Sequence, residues 1–126
     1  MNTRVLVADD EPDMRLLVSR LLQREGFDVT MASSGEEALQ SYAEDPADAV
    51  VLDHRMDGLT GVETAQQLRE TGCHAPILIF SAYLEPAIEQ LASELGVATL
   101  PKADAPRLAA AVRTLLDDDP GDVAHA

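Results

Sequence analysis

Ala49-Val50-Val51-Leu52-Asp53 is a run of four apolar residues that stops at an acid. So short an unbroken apolar run predicts a strand buried on both faces, and strands of that kind belong to parallel sheets covered on either side. Val5-Leu6-Val7-Ala8 upstream repeats the pattern and stops at Asp9-Asp10, and Ile77-Leu78-Ile79-Phe80 downstream stops at Ser81. Phe27, Val29 and Met31 alternate with Asp28 and Thr30, which predicts a half-exposed edge strand. Val97-Ala98-Thr99-Leu100 supplies a fifth strand, followed by Lys102.

A helical pattern separates each strand from the next. Met14, Leu17, Val18, Leu21 and Leu22 form an inward stripe, with Gly26 placed to end the helix. Ser34-Gly35-Glu36-Glu37 and Thr60-Gly61-Val62-Glu63 both have capping-box spacing. They open helices carrying Ala38, Leu39 and Tyr42, and Ala65 and Leu68. Pro86 suits a first turn ahead of Ile88, Leu91, Ala92 and Leu95. Asp104 is placed to cap a last helix with Leu108, Ala111, Val112, Leu115 and Leu116 inward. Met14 and Met31 read as core fillers.

Five β-α units require parallel pairing with right-handed crossovers. The expected fold is α/β, a doubly wound five-stranded parallel sheet in the order 2-1-3-4-5. It is a flavodoxin-like (βα)5 three-layer sandwich. One domain is expected over 1–117. The acidic stretch that begins at Asp117 and Asp118 leaves 118–126 as a disordered tail or linker stub.

Composition narrows the function. Nine Lys and Arg against 23 Asp and Glu give a net charge of −14, which repels nucleic acid and anionic membrane surfaces and favours basic partners and divalent cations. Cys73 is the single cysteine, so no intramolecular disulfide is available. No apolar run approaches the roughly 18 residues of a membrane span, and the N-terminus does not read as a secretory signal. A soluble cytoplasmic chain is expected, with no direct nucleic-acid or membrane binding.

In a parallel sheet the C-terminal strand ends share one edge. Asp9-Asp10 and Asp53 then meet where the winding direction reverses, the place where such sheets bind ligands, with Ser81 and Lys102 beside them. Three carboxylates in one cleft repel one another unless a cation compensates, and an all-oxygen set suits Mg²⁺. His54 neighbours Asp53 but by strand alternation faces the other way. No spacing of Cys73 with His54, His74 or His125 supports zinc.

These residues carry a resemblance. Asp9-Asp10, the segment Asp53-His54-Arg55-Met56-Asp57-Gly58-Leu59-Thr60-Gly61, Ser81-Ala82 and Lys102 are similar to the pattern of response-regulator receiver domains of two-component signalling (CheY-like superfamily). The family's own form of the central segment is Asp-x-x-Met-Pro-x-x-x-Gly, and the likeness spans residues 4 to about 117. It implies a phosphoacceptor, not an enzyme, in which Asp53 takes a phosphoryl group from a histidine kinase or phosphotransferase. Asp10 would ligate Mg²⁺ directly and Asp9 through water, with Asp53 and the Arg55 main-chain carbonyl completing the protein ligands. Lys102 and Ser81 would each bind a phosphoryl oxygen. The face formed by helix four, strand five and helix five would meet a downstream protein target or a second copy as a homodimer.

Some positions depart from that pattern. Ala103 stands where the family has a Pro commonly joined by a cis bond. A cis bond before Ala costs about 2.5–4 kcal/mol, so a trans bond is expected, and the altered loop puts the reach of Lys102 in question. Strand five carries no aromatic at Thr99 or Leu100. Asp57 replaces the family's Pro and reads as a tolerated surface change. Arg55 and Tyr83, two residues past Asp53 and Ser81, are placed to obstruct hydrolytic water, so slow autodephosphorylation is expected. No further domain pattern follows the last helix, so the chain reads as a stand-alone regulator or as a fragment cut at its acidic tail.

Three other functions compete. A haloacid-dehalogenase-type phosphatase wants Asp-x-Asp after its first strand. A flavodoxin-like cofactor binder wants a phosphate loop where this chain has Asp9-Asp10-Glu11. A receiver-like interaction module acting without phosphorylation draws on the departures around Lys102.

Overall fold

A computed structural model describes residues 2–117, so the expected tail at 118–126 lies outside the described residues. Five strands alternate with helices: β1 Arg4–Ala8, α1 Pro12–Arg24, β2 Asp28–Ala32, α2 Gly35–Glu44, β3 Ala49–Leu52, α3 Gly61–Glu70, β4 Ile77–Ser81, α4 Pro86–Glu94, β5 Ala98–Pro101 and α5 Leu108–Asp117. The strands pair in parallel in the order β2-β1-β3-β4-β5, the doubly wound arrangement expected from the sequence.

Strand alternation divides the apolar residues between two cores. Leu6, Ala8, Val50, Leu52, Ile77 and Ile79 pack with Ala38, Ala65, Leu68 and Ala92 beneath α2, α3 and α4. Val5, Val7, Val51, Leu78 and Phe80 pack with Val18, Leu22, Leu108 and Val112 beneath α1 and α5. All four residues of β3 are buried, as its unbroken apolar run requires. Arg113 of α5 donates to the Glu25 carbonyl and lies 4.7 Å over the Phe27 ring, fastening α5 to the turn before β2.

The helix starts follow their local chemistry. Thr60 forms the full capping box, with Glu63 N–H donating to its Oγ1 at 3.2 Å and its own N–H donating to Glu63 Oε1 at 2.9 Å. Ser34 caps Glu37 N–H at 3.0 Å, but the return bond to Glu37 comes from Ser33 N–H at 2.9 Å, one residue early.

Several expectations are corrected. Met31 is not a core filler: it sits on edge strand β2 and is 49% exposed. Leu17 and Leu91 are each 47% exposed, so the inward stripes of α1 and α4 are narrower than the periodicity predicted. Asp104 does not cap α5. A 3₁₀ turn spans Lys102–Arg107, with Asp104 off helical geometry at φ −97 and ψ 26. Pro106 has no N–H to give and biases Ala105 away from α geometry, so the α-helix starts only at Leu108. No peptide bond among the described residues is cis, which makes Lys102-Ala103 trans as expected. Among the same residues no helix is long and apolar enough to cross a membrane.

Candidate functional site

The sheet ladder continues one step past the strands that carry the acids. Asp53 N–H donates to the Ala8 carbonyl at 2.9 Å, and Asp9 N–H to the Ala32 carbonyl at 3.2 Å. Ala8 and Leu52 are register partners, so Asp9 and Asp53 follow them side by side at the edge where winding reverses. Both are buried, at 2% and 7% exposure. Asp10, half-buried, completes a trio whose ligand atoms lie within 4.8 Å of one another.

Lys102 reaches this trio despite the altered loop. Its Nζ lies 3.1 Å from Asp9 Oδ2 and 3.4 Å from Asp53 Oδ2, with its side chain only 13% exposed. Pro101 ends β5 opposite Ser81 in register, and the 3₁₀ turn starts at Lys102 itself, so the side chain leaves from a fixed strand end. Ser81 is buried at the end of β4.

Asp9 is also the best-anchored acid. Its Oδ1 accepts the Glu11 N–H at 2.9 Å, and its carbonyl accepts Arg15 Nη1 at 2.8 Å. Sequence reasoning missed this Arg15 bond, because an arginine on an exposed helix turn carries no sign of a main-chain target. It also missed the hold on the β3–α3 loop. Gly61 N–H closes that loop on the His54 carbonyl at 2.9 Å. A Cβ at Gly61 would sit 2.5 Å from the Asp53 carbonyl oxygen, so the close approach of α3 to the acid-bearing strand end demands glycine there.

Beside the trio lies a cleft of about 470 Å³ walled by Asp10, His54, Arg55, Asp57, Tyr83 and Ile88. The Arg55 guanidinium lies 5.7 Å over the Tyr83 ring, a cation–π pair on the cleft wall. His54 makes no hydrogen bond to Asp53. Its Nδ1 is buried without a partner among the described residues, and burial lowers its pKa.

The electrostatics suit a hard cation. Burial pushes the Asp53 carboxyl above its ordinary range, the Asp9 charge adds to this, and Lys102 and Ser81 offset part of it. One ammonium faces two close carboxylates, with a third nearby, so the cluster keeps negative charge after Lys102 is counted. The oxygens of Asp9, Asp10 and Asp53 therefore fit Mg²⁺, which takes one or two carboxylates and keeps several waters.

A pH dependence of stability follows. A carboxyl whose folded pKa is raised stabilises the fold when protonated, below the 3.8 of an ordinary aspartate, and that contribution is lost as pH rises through the folded value. Asp53→Asn removes the penalty. In metal-free buffer at neutral pH the variant will therefore melt at a higher temperature than the parent. The gap will close on acidification below 3.8 and narrow when Mg²⁺ is added. Paired thermal melts across pH check this, and a variant less stable at neutral pH would contradict it.

Comparisons with known proteins show the family. A family model described as the response regulator receiver domain matches residues 5–119. The chain is 41% identical over 96 residues to the alkaline phosphatase synthesis transcriptional regulatory protein PhoP of Bacillus subtilis, covering 76% of this chain and 40% of that protein. It is 45% identical over 82 residues to the response regulator MprA of Mycolicibacterium vanbaalenii, covering 65% of this chain and 36% of that protein. The chain thus spans well under half the length of these relatives. A solved two-component response regulator of the LuxR family from Aurantimonas superposes with a TM-score of 0.88 at 30% identity, over 94% of this chain and 87% of that one. The chain belongs to the response regulator receiver domain family.

Proposed function

We propose that Asp53 accepts a phosphoryl group from a phosphohistidine on a histidine kinase or phosphotransferase in the cytoplasm, and that the acyl phosphate switches protein–protein contacts. The observation that carries this reading is the gathering of three carboxylates within 4.8 Å while Lys102 holds Asp53 and Asp9 at 3.4 and 3.1 Å. Bound Mg²⁺ would neutralise charge on the transferring group and orient it for in-line attack. Asp10 would ligate it directly and Asp9 through water, with Asp53 and the Arg55 main-chain carbonyl as further ligands.

In the transfer a carboxylate oxygen of Asp53 bonds to phosphorus as the phosphorus–nitrogen bond breaks, and the imidazole leaves with that electron pair. Lys102 would move from its two carboxylates onto a phosphoryl oxygen, and Ser81, one strand away, would donate to another. With no aromatic at Thr99 or Leu100, the Ser81 response would pass through the main chain of the β4–α4 loop. The α4–β5–α5 face is the proposed surface for a target or a second copy. The interaction-module reading without phosphorylation drew on the altered Lys102 loop. The short Lys102 contacts weigh against it.

Incubation with acetyl phosphate and Mg²⁺, read by intact mass, tests the acceptor. We expect one phosphoryl adduct on the parent chain and none on Asp53→Ala; no adduct on the parent would return weight to the unphosphorylated module. The Arg55–Tyr83 pair stands over the cleft through which water would reach the acyl phosphate. If that pair must part first, Arg55→Ala or Tyr83→Ala will speed loss of the phosphoryl group about two- to fivefold, the equivalent of one exposed cation–π contact. The decay of phosphoprotein after removal of donor measures it, and unchanged decay in both variants would refute the obstruction.

A further inference from the structure

Asp57 donates its main-chain N–H to Asp10 Oδ2 at 3.2 Å, a bond between residues 47 apart in the chain. It joins the β3–α3 loop to the end of β1, directly onto one of the three clustered carboxylates. The loop that aims this amide is fixed on both sides of it. Gly58, at φ +80, packs against the Glu36 carboxylate, and Leu59 N–H donates to Glu36 Oε1 at 3.4 Å. Gly61 N–H closes the loop on the His54 carbonyl at 2.9 Å.

We propose that the Asp57 main-chain amide is a positioning group for divalent-cation binding, holding the Asp10 carboxylate oriented toward Asp9 and Asp53 before the cation arrives. This rests on the Mg²⁺-dependent phosphoacceptor reading of the same site. Asp10 is the least buried of the trio and lies beyond the strand, where Asp9 by contrast is held by Glu11 N–H and by Lys102. Without the Asp57 bond its carboxylate is free to rotate, and binding a cation would cost that freedom. A carboxylate has about four lone-pair sites, so accepting one N–H leaves capacity for a metal. Outer hydrogen bonds of this kind orient metal ligands and set affinity.

The inference also gives the residue type a meaning. Proline, which the resemblance leads one to expect at this place, has no N–H and could not make the bond. The donor belongs to the main chain, so any other residue at 57 supplies it. Asp57→Ala and Asp57→Pro therefore separate the amide from the side chain.

Titration calorimetry of the full chain with Mg²⁺ alone is the test. Asp57→Ala should bind within about twofold of the parent, while Asp57→Pro should bind about tenfold more weakly. Equal affinity of Asp57→Pro and the parent, or equal losses in the two variants, would overturn the inference alone. A parent chain that binds no Mg²⁺ would overturn the phosphoacceptor reading and this inference together. Should Asp57→Pro fail to fold, the Asp57 amide proton decides by NMR. It should lie downfield in the parent and move upfield in Asp10→Ala, and an unmoved resonance would overturn the bond's role.

Discussion

At the end of a parallel sheet, two of three crowded carboxylates share one ammonium. Lys102 Nζ touches both Asp9 and Asp53 inside a site where neither acid is more than a few per cent exposed. Removing charges from water is expensive, and a buried pair contributes stability only when its geometry and remaining hydrogen bonds are good. The raised pKa of Asp53 shows that compensation here is incomplete. Such a site is poorly designed for stability and well suited to take up a divalent cation.

Everything around the cluster serves to keep it assembled. The sheet ladder runs on into Asp9 and Asp53, so their positions are set by backbone bonds rather than by side-chain preference. α3 presses its first residue against the Asp53 carbonyl, which only glycine permits. The Thr60 capping box and Glu36 pin the intervening loop. Lys102 departs from a strand end, not a free loop, because β5 extends through Pro101 and the 3₁₀ turn begins at once. The geometry is therefore preorganised on rigid elements, the condition for a site that works by charge and position.

Much of this was legible beforehand, for identifiable reasons. Apolar runs that stop at Asp9, Asp53 and Ser81 announce both a covered parallel sheet and the edge on which its polar residues gather. The faces of the helices were less legible. Leu17 and Leu91 lie on the expected stripes yet stand half exposed, because a helix against a twisted sheet buries a narrower strip than its apolar residues offer. The entry to α5 was misread because a good capping residue at Asp104 is overridden by Pro106 two residues later. Whether Lys102 could reach the acids depended on loop geometry, which spacing alone does not determine. The Asp57 amide was overlooked, since a non-proline residue at 57 announces a main-chain donor but not its target.

The central claim is that the acidic trio, with Lys102 at its side, is a divalent-cation site around a free nucleophilic oxygen of Asp53. Crystals of the chain soaked in Mn²⁺, which replaces Mg²⁺ and scatters anomalously, test it directly. The account predicts an anomalous peak in contact with the carboxylates of Asp10 and Asp53 and the Arg55 main-chain carbonyl. Density for Mn²⁺ only elsewhere on this acidic surface, with the trio unliganded, would contradict it.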